Sequence, residues 1–211
     1  EGFVSTSTAV LAAGAWSAPI ARTAGVELPV TGMLLSAGIL ERPPGLEETH
    51  LACIDASQGI YFRPDTGRLT IFGFSSAADR RESPKDADPD DFQSEPPLEW
   101  TVRPGARLGH RIPGMVDARW QRAWSGVDGN TPDGHAILDK APGVEGLYMA
   151  AGMSGAGFKI GPAVGMCMAE LIAEGEATTV DISPFSLSRF SEGKLLVGQH
   201  EYSYYFRETV S

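Results

Sequence analysis

The feature that most constrains the fold is a strand, a glycine-rich loop and a helix that follow one another at residues 146–174. The apolar run GLYMAAG predicts a buried strand, and MSGAGFKIGP follows it directly. We predict a helix over 162–174, because Pro162 suits a first helical position and Gly175 suits a helix end. Apolar residues then recur on one helical face: Val164, Cys167, Met168, Leu171 and Ile172.

The loop between this strand and this helix has two interpretations. Backbone N–H groups at a helix start bind anions or electron-rich oxygens, and glycines let a flat ligand approach the backbone. A plain glycine-rich turn is the alternative, because the GxGxxG order of dinucleotide-binding loops is absent. Lys159 is notable because a cation near a helix start has the unfavourable sign. We therefore expect an anionic group nearby, with a lysine that extends into solvent as the alternative.

The N-terminal part of the chain predicts two strands around one helix. Residues 3–13 are β-branched and apolar and predict a buried strand that ends in AAGAW. A helix over 17–25 follows, and Gly25 suits its end. The run LPVTGMLLSAGIL predicts a second strand over 28–40.

The middle of the chain predicts a hairpin and then a polar loop. GIYFRPDTGRLTIFGF (59–74) contains two β-rich runs around the turn sequence PDTG. Residues 75–97 are acidic and proline-rich, which is typical of a solvated surface loop. A helix within 98–115 and a strand over 118–129 come next. NTPDGHAILD (130–139) predicts a turn and a short strand, and for this stretch alone a structural and a functional role are equally open.

Charge and composition limit the possible partners. The net charge is −10 and no Lys/Arg cluster occurs, which argues against nucleic acid and anionic membranes. No apolar run is long enough to cross a bilayer. Cys53 and Cys167 form neither a CxxC pair nor a zinc spacing with histidine, so we expect no metal site, two reduced thiols and a cytoplasmic location.

Three stretches together resemble one enzyme family. VLAAGAWS (10–17), WSGVDGNTPDGHAILD (124–139) and GLYMAAGMSGAGFKIGPAVG (146–165) occur in the order and at the separations of the D-amino acid oxidase-like FAD-dependent oxidoreductases. The branch that includes the sarcosine oxidase β-subunit, dimethylglycine dehydrogenase and glycine oxidase is the most similar, and DISPFSLSRF (181–190) also resembles it. The resemblance covers residues 3–190, which correspond to the C-terminal half of that family.

The resemblance implies an α+β fold in two parts. Residues 1–26 and 116–185 would form the C-terminal part of an α/β FAD-binding domain. Residues 27–115 would form a substrate-binding domain with a mixed, mostly antiparallel sheet, and 186–211 a C-terminal tail. The implied activity is oxidation of a secondary or N-methylated amino acid, with hydride transfer to flavin N5 and hydrolysis of the resulting imine.

The resemblance also implies which residues meet the flavin. A Cys that carries covalent FAD in some relatives corresponds to Gly126, so we expect non-covalent FAD. Ala156 stands where many relatives have His, so an imidazole beside the flavin is not expected. The expected cofactor contacts are Ala13, Gly14, Trp16, Gly126, Thr131, Asp133, Gly152, Ser154, Gly155, Ala156, Gly157, Phe158 and Lys159.

Two residues are implied to act on the substrate, a small amino acid or N-methyl amine. Lys159 matches the lysine that binds the substrate carboxylate in sarcosine oxidases. Tyr61 matches an aromatic position that lines the substrate pocket, although a core aromatic is an equally good interpretation. Asp128 stands near the place where glycine oxidases carry an Arg that binds substrate. An Asp there could instead contact a cationic group of the substrate, and a surface hydrogen bond is an equally good interpretation.

One element of the family is missing from the sequence. The family begins with a βαβ unit whose GxGxxG loop holds the FAD pyrophosphate, and this chain has no such motif. We therefore expect the chain to be part of a longer enzyme. The alternative is a non-catalytic fragment or subunit that binds FAD only with a second, GxGxxG-containing polypeptide.

Overall fold

The computed structural model describes residues 2–46, 48, 50–75 and 86–197, and it divides into two compact units. Unit 1 contains the described parts of Glu1–Met33 and Asp128–Ser211, and unit 2 contains those of Leu34–Val127. The boundaries between the two units therefore follow Met33 and Val127, whereas the sequence analysis predicted them after residues 26 and 115. That these units bind FAD and substrate respectively stays a prediction.

Unit 1 is built on a sheet in the order β1–β8–β7, with β1 at Ala9–Leu11, β7 at Ile137–Lys140 and β8 at Leu147–Ala151. β1 and β8 are parallel, and β8 and β7 are antiparallel. Side chains alternate between the two faces because successive residues of a strand point to opposite sides. One face packs on α1 (Ser17–Thr23) through Leu11, Ala18, Ala21, Ile137 and Met149. The other packs on α3 (Gly157–Ala173) through Leu138, Ala150, Cys167, Met168 and Leu171.

Helix α3 begins earlier than predicted. It starts at Gly157, so Pro162 lies inside the helix and not at its first position. The sequence predicted too late a start because Gly157 and Gly161 have low helix propensity and Pro162 lacks an N–H donor. The predicted apolar face is confirmed: Cys167, Met168 and Leu171 are buried, and Val164 packs against them. Gly175 follows the helix with a φ of +89°.

The first strand is shorter than predicted. Only Ala9–Leu11 forms β1, and residues 3–8 are exposed, so the prediction of a buried strand over 3–13 is wrong for most of its length. β-Branched composition alone does not form a strand where no neighbouring strand offers hydrogen bonds. The helix predicted at 17–25 is confirmed as α1, which ends two residues earlier, and Gly25 adopts a φ of +76°.

Unit 2 is a sheet covered by one helix. Its strand order is β3–β4–β5–β2–β6, and the pairs β3–β4, β4–β5 and β5–β2 are antiparallel. The strands are β2 (Thr31–Glu41), β3 (Cys53–Asp55), β4 (Ile60–Pro64), β5 (Leu69–Phe74) and β6 (Arg119–Asn130). The first three residues of β2 and the last three of β6 belong to unit 1. Helix α2 (Leu98–Arg111) packs on one face, where Ile60, Phe62, Phe72, Phe74 and Leu108 are buried. The α+β class and the predicted hairpin are therefore confirmed.

Short elements complete the described chain. Single 3-10 turns occur at Gly14–Trp16, Pro113–Asp117 and Ser183–Phe185, and α4 spans Ser188–Ser191. The last two cover most of the SPFSLSRF stretch, residues 183–190. Of the predicted loop 75–97, residues 76–85 lie outside the described residues, as does 198–211 of the predicted tail. No helix in the described part of the chain combines the length and apolarity needed to cross a membrane.

Candidate functional site

Three stretches that are far apart in the sequence meet in unit 1. They are residues 13–16 after β1, residues 128–131 at the end of β6, and residues 152–157 after β8, which we call the glycine loop. A Cβ atom built on Gly129 would lie 2.8 Å from the carbonyl oxygen of Gly14, so only glycine allows this approach. The carbonyl of Gly129 also accepts the Ser154 N–H at 3.1 Å. Gly129 therefore joins the first stretch to the glycine loop.

Thr131 connects the second stretch to the glycine loop through its methyl group, its hydroxyl, which lies 3.3 Å from Ser154 Oγ, and its backbone N–H. Its methyl group packs on Gly152, where a Cβ atom would lie only 2.3 Å from Thr131 Cγ2. Its backbone N–H donates to Ser154 Oγ at 3.1 Å. Gly152 and Ser154 have φ values of +63° and +50°, a left-handed conformation that non-glycine residues such as serine rarely adopt. These contacts hold the chain in a sharp reversal just before α3.

The glycine loop ends at a helix start that no side chain caps. The N-cap residue is Ala156, which offers no acceptor atom, and the first turn of α3 contains no acidic residue. The N–H groups of Lys159 and Ile160 donate to the Ala156 carbonyl at 3.2 and 3.3 Å, so those of Gly157 and Phe158 are the ones that could bind a ligand. Phe158 and Lys159 are exposed in the same turn. The helix dipole and Lys159 have the same sign, so together they favour an anion or an electron-rich oxygen at this end.

Asp128 places a carboxylate beside the glycine loop. A Cβ atom built on Gly155, which has a φ of +80°, would lie 3.8 Å from Asp128 Oδ2. Asn130 Nδ2 donates to the same oxygen at 3.3 Å. The Asp128 carboxylate therefore lies on one side of the glycine loop, where Asn130 holds one of its oxygens.

Asp133, predicted as a cofactor contact, lies beneath this surface with its side chain 1% exposed. Its carboxylate pairs with Arg189, whose Nε and Nη2 donate to Oδ2 and Oδ1 at 2.8 and 3.0 Å. Burial by itself would raise the pKa of Asp133, but hydrogen bonds from Arg189 and the Leu196 N–H, and the charge of Arg189, hold the pKa below its usual value. Sequence reasoning assigned Arg189 no role, although it lies in the SPFSLSRF stretch.

The remaining predicted residues are spread over both units. In unit 1, Ala13 is half-buried against the α1 side of the core, and Trp16 is 40% exposed. In unit 2, a Cβ atom on Gly126 would meet nothing within 4 Å, so the backbone is open there. Tyr61 lies on β4 with its ring across Gly73 of the neighbouring strand, where a Cβ would be 2.7 Å from the Tyr61 Oη.

Two cavities lie away from these residues. One of about 500 Å³ adjoins Asp55 and Arg111 in unit 2, and one of about 690 Å³ adjoins Leu28 and Phe190 in unit 1. Neither is lined by a predicted site residue. Within the described ranges, no group of three His, Cys, Asp or Glu side chains could hold a metal ion. In unit 1 the candidate site is thus a cradle of backbone groups at the start of α3.

Comparison with known proteins gives one matching family and several relatives. The family described as "DAO: FAD dependent oxidoreductase" matches residues 1–171. FAD-dependent oxidoreductase domain-containing protein 1 of Mus musculus is 33% identical over 92% of this chain and 41% of its own length. Sarcosine oxidase subunit beta of Rhizobium meliloti (strain 1021) is 31% identical over 93% of this chain and 44% of its own length.

A solved structure shows the same fold. The crystal structure of glycine oxidase from Geobacillus kaustophilus superposes with a TM-score of 0.71 at 28% identity, over 90% of this chain and 46% of that one. The chain therefore spans less than half the length of each of these three relatives. The family match includes all three stretches that meet at the start of α3.

Proposed function

Because the chain belongs to the DAO family of FAD-dependent oxidoreductases, we propose that it forms the C-terminal part of an enzyme that oxidises a secondary or N-methylated amino acid. The substrate class is suggested by two relatives, a sarcosine oxidase subunit and a glycine oxidase. The observation that carries the proposal is the meeting of three stretches at the uncapped start of α3, with Lys159 exposed in its first turn.

The residues of this cradle fit an electron-rich edge of a flavin. The flat ring system needs close approach to backbone, and Gly155 and Gly157 present no side chain there. The N–H groups of Gly157 and Phe158 would hold a flavin carbonyl, since the N-cap Ala156 gives them no side-chain partner. When bound, FAD supplies the acceptor for a hydride, and the protein supplies orientation and electrostatics. Non-covalent attachment is part of the proposal, because Gly126 stands at the position of the linking Cys.

Lys159 would hold the substrate carboxylate. Its ammonium lies in the first turn of α3, where it adds to the positive end of the helix, so an anionic group is attracted by both. A bound carboxylate fixes one end of the amino acid and thereby orients the carbon atom beside nitrogen. The role of Tyr61 as a pocket residue, and that of Asp128 toward a substrate amine, remain predictions from the sequence.

The experiment is a substrate titration of the full-length, flavin-containing protein without oxygen. Sarcosine, N,N-dimethylglycine, glycine and proline are added in turn, and the visible absorbance of the oxidised flavin is followed. Loss of that absorbance with at least one N-substituted amino acid supports the proposal. A flavin that stays oxidised with all of them, in protein that binds FAD normally, contradicts it.

A second candidate is a chain that binds FAD only with a further polypeptide carrying the GxGxxG loop. Apolar side chains on the surface of unit 1 favour it: Val10, Trp16 and Ile20 are 46%, 40% and 45% exposed. β1 is also at the edge of its sheet among the described strands. Mixing the chain with a polypeptide that contains the family's N-terminal half, and measuring flavin retained after gel filtration, separates this candidate from FAD binding by the chain alone.

A further inference from the structure

Arg189 is a buried cation whose donors are all used. Its side chain is 2% exposed. Nε and Nη2 donate to the carboxylate of Asp133, and Nη2 also donates to the carbonyl of His135 at 2.8 Å. Nη1 donates to the carbonyls of Phe185 and Ser186, each at 3.0 Å. The guanidinium thus joins residues 133–135 to the segment that begins at Ser183.

The carboxylate of Asp133 is equally occupied. Besides Arg189, it accepts the Leu196 N–H on Oδ2 at 3.1 Å and the His135 N–H on Oδ1 at 3.2 Å. With 1% of the side chain exposed, neither oxygen is available at the surface of this chain. The C-terminal segment, residues 183–197, therefore holds Asp133 at both Arg189 and Leu196.

The turn at residues 131–135, which contains Asp133, also holds the glycine loop. Thr131 Oγ1 donates to the carbonyl of His135 at 2.7 Å, which is the carbonyl that Arg189 also binds. The Thr131 N–H donates to Ser154 Oγ, and its methyl group packs on Gly152. Thr131 Oγ1 also donates to Asp133 Oδ1 at 3.2 Å, so Arg189 is linked to Thr131, and through it to the glycine loop, by way of both Asp133 and the His135 carbonyl.

We propose that Arg189 is a positioning residue for the cofactor: through Asp133 and Thr131, the C-terminal segment fixes the shape of the glycine loop and thereby the affinity for FAD. The proposal rests on the function proposed above, in which that loop meets the flavin. It assigns Asp133 to holding the loop and not to direct contact with the cofactor. It also gives the C-terminal segment, which contains no predicted flavin contact, a role in flavin binding.

The buried ion pair of Asp133 and Arg189 is better suited to fixing the positions of its neighbours than to raising the stability of the fold. Two charges removed from water gain little over well-packed apolar residues, so a buried ion pair contributes chiefly through the arrangement that it enforces. Arginine suits this task because its planar fork directs five donors at fixed angles, whereas a lysine ammonium is a single rotating point charge. The centroid of the Phe190 ring lies 4.0 Å from the guanidinium carbon, so the ring limits its movement further.

The test compares two buried arginines. Arg189→Lys and Asp133→Asn disrupt the proposed contacts, and Arg42→Lys is the matched control. Arg42 is 1% exposed in unit 2, where it donates to the carbonyls of Leu46, Gly67 and Leu69. In the full-length protein we measure the Kd of FAD, the thermal midpoint, and the hydrogen-exchange rate of the amides of residues 152–157.

We expect Arg189→Lys and Asp133→Asn to raise the FAD Kd at least tenfold and to accelerate exchange in the glycine loop at least tenfold. Arg42→Lys should lower the thermal midpoint but leave both quantities within twofold of wild type. Unchanged loop exchange in Arg189→Lys overturns the proposal, and so does faster exchange with an unchanged Kd. If wild-type protein binds no FAD even with the N-terminal half added, while the loop exchange still responds, the link to the loop stands and the proposed function fails.

Discussion

Gly152 lies against the methyl group of Thr131 so closely that a Cβ atom on Gly152 would be 2.3 Å from Thr131 Cγ2. Its φ of +63° adds a second requirement for glycine. We expect Gly152→Ala to lower the free energy of unfolding by about 2–4 kcal/mol, because backbone strain and a steric clash add together. Denaturant unfolding followed by circular dichroism measures the loss.

Gly143 provides the control for this prediction. It has a φ of +75°, but a Cβ there would meet nothing within 4 Å, so Gly143→Ala carries the strain without the clash. We expect it to cost about 1–2 kcal/mol. Adding Thr131→Ser to Gly152→Ala removes the methyl group and should recover part of the difference. Equal losses for both alanine variants would show that the contact with Thr131 is unimportant.

The buried pair of Asp133 and Arg189 predicts a pH-dependent stability. Burial alone would raise the pKa of Asp133, but its hydrogen bonds and the charge of Arg189 hold the pKa below the ordinary 3.8. A group whose pKa is lower in the folded state adds stability above its unfolded pKa, and that stability disappears as the pH falls through the folded pKa. Near neutral pH, Asp133→Asn should cost about 3–5 kcal/mol, because Arg189 is left buried without its counter-ion.

The measurement is the free energy of unfolding of wild type and Asp133→Asn from pH 7 down to pH 2. We expect the difference between the two proteins to be constant above about pH 5 and to shrink as wild-type Asp133 becomes protonated. Other acidic residues are common to both proteins and cancel in the difference. A difference that does not change with pH would mean that the pKa of Asp133 is the same in the folded and unfolded protein, so that Arg189 does not lower it.

Gly73 and Tyr61 give a prediction for unit 2. A Cβ on Gly73 would lie 2.7 Å from both Cε1 and Oη of Tyr61, so Gly73→Ala must move the ring. If Tyr61 lines the substrate pocket, this shift lowers kcat/KM of the full-length enzyme by about 10- to 100-fold. The double variant with Tyr61→Leu should be no worse than Tyr61→Leu alone, since the displaced ring is gone. Additive effects, or an unchanged kcat/KM, would place Tyr61 outside the substrate pocket.

Local patterns in the sequence predicted most elements of the fold. The β4–β5 hairpin and the apolar face of α3 were predictable because turn residues and helical spacing act within a few positions. The length of β1 was not, since a strand extends only as far as its partner β8 offers hydrogen bonds. The start of α3 was missed because glycine and proline hide a helix that tertiary contacts stabilise.

Part of the candidate site could also be predicted from the sequence, and part could not. Glycines at 152, 155 and 157 marked a loop by composition alone, and the order of three motifs gave the family. The contact between Gly129 and Gly14, and the pair of Asp133 and Arg189, join residues more than 50 positions apart. Such pairings depend on the packing of unit 1, so a single sequence without this fold does not reveal them.

Lys159 gives the most direct prediction for substrate binding. Lys159→Met keeps the aliphatic stem and removes the charge, so a substrate carboxylate loses its ion pair. In the full-length enzyme we expect KM to rise about 10- to 100-fold, with a smaller effect on kcat. Without ligand, the same change should stabilise the protein by about 0.3–1 kcal/mol, because it removes a cation from the positive end of α3.

Lys140→Met is the control at the opposite end of the helix. Lys140 Nζ donates to the carbonyl of Gly175 at 3.1 Å, just beyond the end of α3, where a cation has the favourable sign. This variant should therefore lose a little stability and keep its KM. A substrate analogue without a carboxylate should bind wild type and Lys159→Met equally well. If the KM of the carboxylate substrate is unchanged in Lys159→Met, the lysine is a solvent-exposed residue that does not contact the substrate. The anion expected at the start of α3 must then be bound by backbone N–H groups alone.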